Sequence, residues 1–361
     1  MRQTLLALLI ILTFVRPLSA QDDDPQAILD DVLSEFTDVD GAAVTVQLST
    51  SDGVWSAAAG LADGSRAAIP SDRFRIGSMS KTFVAVTALL LAEEGVFDLD
   101  DSAADWLPSD ILEDISNADE VTIRQLLSMR SGVADYLETD QFWAAVADDP
   151  TYPWTAAEAL TYAYDLPALF APDAEFYYSN SNYLLLQLIL ENAAGKPLHT
   201  LMRQRILDPL KLTNTYTQIS ESLPGGFVAG YEDFDGDGGV EDVSNINDGA
   251  GLGDGGLIST VGDLTTFYRA LLDDQSLLSE SSMDALLDFQ EDGEEGGYSL
   301  GFSAWETDGG MAWGHSGAVS GFQSVGLYLP DDSVTVMVLV ASAEIDPEAL
   351  ADSIVERWAG E

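Results

Sequence analysis

Ser78 and Lys81 stand three residues apart in RIGSMSKT (75–82), and Lys81 is one of only three lysines in the chain. A serine hydroxyl is a poor nucleophile and needs a base within reach. At i and i+3 of a helix, two side chains share a face and can touch. The unpaired N–H groups of a first helical turn also favour an oxyanion developing there. A lysine held among Phe83, Val84 and Val86 could activate Ser78, whereas a solvated lysine on a helix surface is the bland reading. A second candidate is FYYSNSNYLLL (176–186), where Tyr178-Ser179-Asn180 precedes an apolar helical run. A tyrosine beside a cationic lysine can shuttle protons, and Asn180 can donate to a substrate carbonyl. Tyr177 is an alternative to Tyr178, but the register to Asn180 favours Tyr178. The competing reading is an aromatic anchor with Asn180 or Ser181 as helix N-cap. A third candidate is WGHSGAVSGF (313–322). His315 could supply a proton or a positive charge near neutral pH, or be a satisfied structural histidine. Gly317 would let a substrate backbone approach the strand. His199, in KPLHTLMRQR, reads as an ordinary helix-surface residue.

The elements that must position these residues follow from periodicity. Apolar spacing after an Asp-Pro start predicts a helix over 24–36. Residues 42–48 and 54–61 read as strands around a Ser-Asp-Gly turn. A long apolar helix is predicted over 78–94, stopped by Gly95. Helices and loops dominate to about residue 220, among them 122–127, 155–163 and 182–194. A further helix is predicted over 261–272. From Tyr298 the pattern returns to strands in a meander, and a helix over 347–358 closes the chain. The fold class expected is α/β of the α+β type: one antiparallel sheet built from both ends of the chain, flanked by N- and C-terminal helices, with a mainly helical region inserted. The sheet part would cover about 21–95 and 256–361, and the helical part about 96–255.

In the order Ser-x-x-Lys, Tyr-x-Asn, His-Ser-Gly, the three motifs resemble the serine β-lactamase and penicillin-binding protein superfamily. The Tyr-Ser-Asn version is similar to the class C branch, with its D,D-carboxypeptidase, D-aminopeptidase and esterase relatives. GVFDLDDSAADWLP, IRQLLSMRSGVADY, ILDPLKLTNTY and GGLISTVGDLTTFY resemble further family segments in the expected order. The resemblance implies that Ser78 is the acylated nucleophile and that Lys81 and Tyr178 are the proton-transfer pair. It implies that Asn180 contacts a substrate amide and that His315 stands in the Lys-Thr-Gly position, with Ser316 and Gly317 on the edge strand. The N–H groups of Ser78 and Ala318 would form the oxyanion hole. The implied activity is cleavage of an amide or ester through an acyl-enzyme, with a D-amino-acid peptide, ester or β-lactam as substrate and no cofactor. A non-catalytic penicillin-binding-like ligand sensor on the same fold is the alternative. Two departures stand out. A histidine replaces the lysine of the third motif, and Met129-Arg130 stands where many relatives carry His-Thr.

Composition narrows the rest. The chain of 361 residues carries 62 acids against 14 bases, a net charge of −48. Such a surface makes nucleic acid and anionic membranes poor partners. A small molecule or peptide is the expected partner, and nothing in the pattern fixes the oligomeric state. Apolar content of 46% and 14 Phe, 12 Tyr and 7 Trp argue against disorder. Repulsion this strong calls for screening, and the Debye length falls from about 10 Å at 0.1 M to about 3 Å at 1 M salt. A halophilic or marine source is expected. With no cysteine and two histidines, a thiol nucleophile is excluded and a His-rich metal centre is disfavoured. The loop DFDGDGG places Asp233, Asp235, Asp237 and Gly238 like the first half of a calcium loop, but Ser244 occupies the twelfth position where a carboxylate belongs. At the N-terminus, MRQTLLALLIILTFVRPLSA reads as a signal peptide over 1–20. The mature chain, 21–361, would then be secreted or periplasmic, without stable membrane insertion.

Overall fold

The computed structural model describes residues 24–36, 41–234, 236–290, 292 and 296–360. The signal peptide read at 1–20 and Asp235 lie outside the described residues. Among the described residues no helix is long and apolar enough to cross a membrane.

Strands from both ends of the chain form one sheet of seven. They are β1 (Val44–Thr50), β2 (Gly53–Ala59), β3 (Gly296–Tyr298), β4 (Ser303–Thr307), β5 (Gly310–Val319), β6 (Phe322–Leu329) and β7 (Val334–Val340). Their order is β2-β1-β7-β6-β5-β4-β3, with every neighbour antiparallel. β7 reads VTVMVLV and is buried throughout, so it needs cover on both faces. Side chains alternate across a strand. Val334, Val336, Val338 and Val340 therefore join Leu29, Val32, Leu350 and Ile354 in one core. The last four come from the terminal helices α1 (Pro25–Phe36) and α5 (Pro347–Ala359). Met337 and Leu339 face the other way, into a core with Met79, Phe83 and Phe267.

That second core belongs to α2 (Ser80–Glu93), α3 (Ser181–Ala194) and α4 (Val261–Tyr268). α2 is apolar almost all round and correspondingly buried. The helix expected from residue 78 starts slightly later, because Gly77–Met79 forms a 3₁₀ turn that leads into α2. A small sheet then ties this turn to distant sequence. Phe74–Arg75 pairs with Leu257–Ser259, which also pairs with Tyr216–Thr217. Residues 254–256 are thereby brought beside the turn and the start of α2.

One expectation needs correction. β5 is not an edge strand, since β4 and β3 lie beyond it. β4, however, pairs only with residues 310–314 of β5, and the stretch His315–Val319 extends past it. The loop around Asp233 and Asp237 is flanked by a two-stranded hairpin, Tyr231–Glu232 with Glu241–Asp242. Asp233 accepts from the Gly238 N–H, and Ser244 is bonded to Asp242 and Gly230. Among the described residues no group of three or more His, Cys, Asp or Glu could hold a metal ion.

Candidate active site

Close approach of two backbones builds the site. Gly77 has φ +50°, and a Cβ on it would lie 2.7 Å from the Ala318 nitrogen. A Cβ on Gly317 would lie 2.2 Å from the Ile76 oxygen and 2.9 Å from the Ser78 nitrogen. Only glycine at both positions lets β5 press against the nucleophile turn. The N–H groups of Ser78 and Ala318 are thus neighbours across that contact. The Ser324 hydroxyl ties it from β6 by donating to the Ile76 carbonyl at 2.9 Å.

Lys81 is fully buried and its Nζ has three acceptors: Ser78 Oγ at 2.9 Å, Asn180 Oδ1 at 2.8 Å and the Asp254 carbonyl at 2.5 Å. An ammonium has three N–H donors and no acceptor, so every donor is used. Tyr178 and Tyr183 present ring faces to the same nitrogen, with centroids at 5.1 and 5.6 Å. Asn180 precedes α3 but makes no side-chain cap bond. Its amide is spent elsewhere, because Nδ2 donates to Asp135 Oδ2 at 2.7 Å.

Tyr178 and Tyr177 point to different surroundings. The Tyr177 hydroxyl donates to Glu138 at 2.5 Å, and burial followed by that bond pushes the phenol up to about 12. Tyr178 lines a cavity of about 580 Å³ together with Ser78, Tyr298, His315, Ser316, Gly317 and Ala318. Its hydroxyl oxygen is buried and has no hydrogen-bond partner among the described residues. His315 is buried too, and its Nδ1 contacts the Ser316 carbonyl at 2.5 Å. The other ring nitrogen, Nε2, faces the Tyr298 hydroxyl at 3.3 Å. Burial first, then the Lys81 charge, pushes His315 down to about 4. The partial charge expected at neutral pH is therefore absent, because desolvation favours the neutral imidazole.

The structure brings together Ser78, Lys81, Tyr178, Asn180, His315, Ser316, Gly317 and Ala318, and His199, Asp233 and Asp237 do not line that cavity. It also adds residues that sequence reasoning missed. Asp135, Tyr136 and Asp254 form the wall behind Lys81, and Tyr136 donates to Asp254 Oδ2 at 2.8 Å. Burial is the leading cause that raises both carboxyls, Asp254 to about 6. One signal was available for Asp254: a lone charge within GLGDGGLIST, a stretch otherwise suited to burial. Met129 and Arg130 now have roles. Met129 Sδ accepts from the Ser179 N–H and from Asn182 Nδ2, at 3.4 and 3.2 Å. Arg130 donates to Asp173 at 2.7 Å. Both residues brace the loop that carries Tyr178 and Asn180.

A family model described as Beta-lactamase matches residues 29–357. A penicillin-binding protein of Bacillus subtilis (strain 168) is 27% identical over 292 residues, 76% of this chain and 62% of that protein. A D-aminopeptidase of Brucella anthropi is 28% identical over 279 residues, 76% of this chain and 50% of that protein. The chain thus spans about half to three fifths of the length of these two relatives. A crystal structure of a D-stereospecific amidohydrolase from Streptomyces sp. superposes with a TM-score of 0.82 at 28% identity, covering 92% of this chain and 98% of that one.

Proposed function

The chain belongs to the beta-lactamase family, and from that premise we propose that it is an exported serine hydrolase that cleaves an amide or ester through an acyl-enzyme on Ser78. The observation that carries this reading is the 2.9 Å bond between Lys81 Nζ and Ser78 Oγ, at the wall of a cavity shared with Tyr178. In the proposed reaction Ser78 Oγ adds to the substrate carbonyl and its proton passes to the Tyr178 oxygen, with the charge of Lys81 beside the Tyr178 ring stabilising the transfer. The N–H groups of Ser78 and Ala318 face the oxyanion. The C–N or C–O bond breaks, and Tyr178 returns the proton to the leaving group. Water then adds to the Ser78 ester by the same proton route, releasing the acid and restoring the serine. Asn180 can turn towards a substrate amide only by giving up a bond to Lys81 or Asp135. His315 acts as a neutral wall and hydrogen-bonding ring.

Substrate choice follows from charge. Among the described residues the cavity lining holds no lysine or arginine, and Asp292, Asp346 and Glu348 stand on it. A neutral His315 where relatives carry a lysine offers no cation to a substrate carboxylate. These features support small amides, esters or short peptides of D-amino acids over carboxylate-bearing β-lactams. The names of the D-aminopeptidase and D-stereospecific amidohydrolase relatives support the same class. The deciding experiment is a panel of p-nitrophenyl esters, nitrocefin and D-alanyl amides with free or acetylated amines. Turnover of the free-amine amides above nitrocefin is expected; nitrocefin as the best substrate would overturn the preference. Stoichiometric labelling without turnover of any of them would favour the ligand-sensing role.

The apolar leader supports export, and the acid-rich composition supports function in high salt. The melting temperature is expected to rise between low and molar salt, as repulsion is screened. An unchanged melt would sink the halophilic reading.

A further inference from the structure

Resting on the acyl-enzyme reading, we propose that Asp254, held by Tyr136, is a positioning residue that fixes Lys81 as a three-donor ammonium and switches acylation on as its carboxyl ionises. Two adjacent residues brace both remote acceptors of Lys81. Asp135 holds Asn180 Nδ2 at 2.7 Å, and Tyr136 holds the Asp254 carboxyl at 2.8 Å. The Asp254 carbonyl in turn takes a Lys81 proton at 2.5 Å. Asp254 is 4% exposed, and its second carboxyl oxygen, Oδ1, is buried without a hydrogen-bond partner among the described residues. A buried carboxylate with one oxygen unsatisfied is costly unless a charge compensates. The compensating charge here is Lys81, which favours ionised Asp254 against the larger effect of burial. The attraction is mutual, so an ionised Asp254 holds the ammonium and, through it, the orientation of Ser78 Oγ.

The charged and titratable groups around this pair come from every neighbouring element. α2 supplies Lys81. The 3₁₀ turn over 136–138 and the residue before it supply Tyr136 and Asp135. The loop before α3 supplies Tyr178, and α3 itself supplies Tyr183. His315 faces Lys81 from β5, and Asp248 faces Tyr136 from the loop that also carries Asp254. Of these, Asp135 and Asp254 are both raised, chiefly by burial, Asp254 to about 6.

The test uses Asp254→Asn and Tyr136→Phe in the full chain. The rate of Ser78 labelling by a fluorophosphonate and the kcat and KM for a p-nitrophenyl ester are followed against pH. The wild type is expected to lose rate below about pH 6. Asp254→Asn keeps the shape but not the charge. It is expected to abolish that limb and to lower kcat at least about tenfold with KM within about twofold, as for an interaction that acts mainly in the transition state. Tyr136→Phe removes a bond that favours the ionised carboxyl, so the limb should move to higher pH. An unmoved acid limb in both folded variants would overturn the proposal. A second readout does not need turnover: the three lysines can be followed by ¹³Cε resonances. The Lys81 signal should show a step near pH 6 that Asp254→Asn removes. A wild type that shows the step but never labels would refute the Ser78 reading alone. A Lys81 signal without the step would refute the Asp254 proposal alone.

Discussion

The two walls of the candidate site are built on opposite terms. Behind Lys81 the polar groups are bonded in a chain, with Asp254 Oδ1 the exception named above: Ser78, Lys81, Asn180 and Asp135 on one branch, Asp254 and Tyr136 on the other. Across the cavity, Tyr178 carries a buried hydroxyl without a partner among the described residues, and burial favours neutral His315, which has a 3.3 Å contact to Tyr298. Buried polar groups are ordinarily satisfied. The difference teaches that the nucleophile side is organised before substrate arrives, while the facing wall keeps hydrogen-bonding capacity in reserve for it.

The contrast can be broken by substitution. Lys81→Met removes the hub of the bonded wall and is expected to cost at least about a thousandfold in kcat/KM, since an unactivated serine is a weak nucleophile. Steady-state kinetics on the best ester of the panel would show this. Tyr178→Phe should cost about a hundredfold or more in kcat, the usual scale for a general acid-base group. Its melting temperature should hold or rise, because the lost hydroxyl has no partner to abandon. Asn180→Ala should do the reverse for stability. It strands the buried Asp135 carboxyl and one Lys81 donor, at a cost of about 1–3 kcal/mol in urea unfolding. A stabilised Asn180→Ala or a strongly destabilised Tyr178→Phe would erase the distinction between the walls.

Acidity separates the walls more finely. Asp254 titrates higher in the fold, at about 6, than its ordinary 3.8. Its contribution to stability is full below the ordinary value and is lost as pH rises through about 6. His315 titrates lower, at about 4 against 6.5. Its contribution is full above pH 6.5 and is lost as pH falls through about 4. Each effect is on the order of 3 kcal/mol and they oppose each other over the same window. Relative to the wild type, Asp254→Asn should therefore lose stability more steeply on acidification between pH 6.5 and 4. His315→Asn should lose it more steeply as pH rises from 4 to 6. Urea midpoints across that range would show whether the two profiles diverge in these directions.

Much of the fold was legible in sequence because strands and helices differ in period. SVTVMVLVAS read as a strand of the C-terminal meander, and the apolar run after Ser78 announced α2. Ser78, Lys81, Tyr178 and His315 could be picked out because a few chemistry-bearing types recurred in one order. Asp135, Tyr136 and Asp254 could not. They lie 45 to 173 residues from the groups they touch on this wall, and the pairing of Phe74–Arg75 with Leu257–Ser259 brings the last of them close. The charge state of His315 was illegible for the same reason: its burial depends on Tyr178 and Tyr298, neither of them local to it.

The most direct test of the account is covalent. Wild type and Ser78→Ala are exposed to a fluorophosphonate and then read by intact mass and peptide mapping, alongside turnover of the best panel substrate. The account predicts a single adduct on Ser78 in the wild type, with neither adduct nor turnover in the variant. An adduct on another residue, or turnover retained by Ser78→Ala, would contradict it.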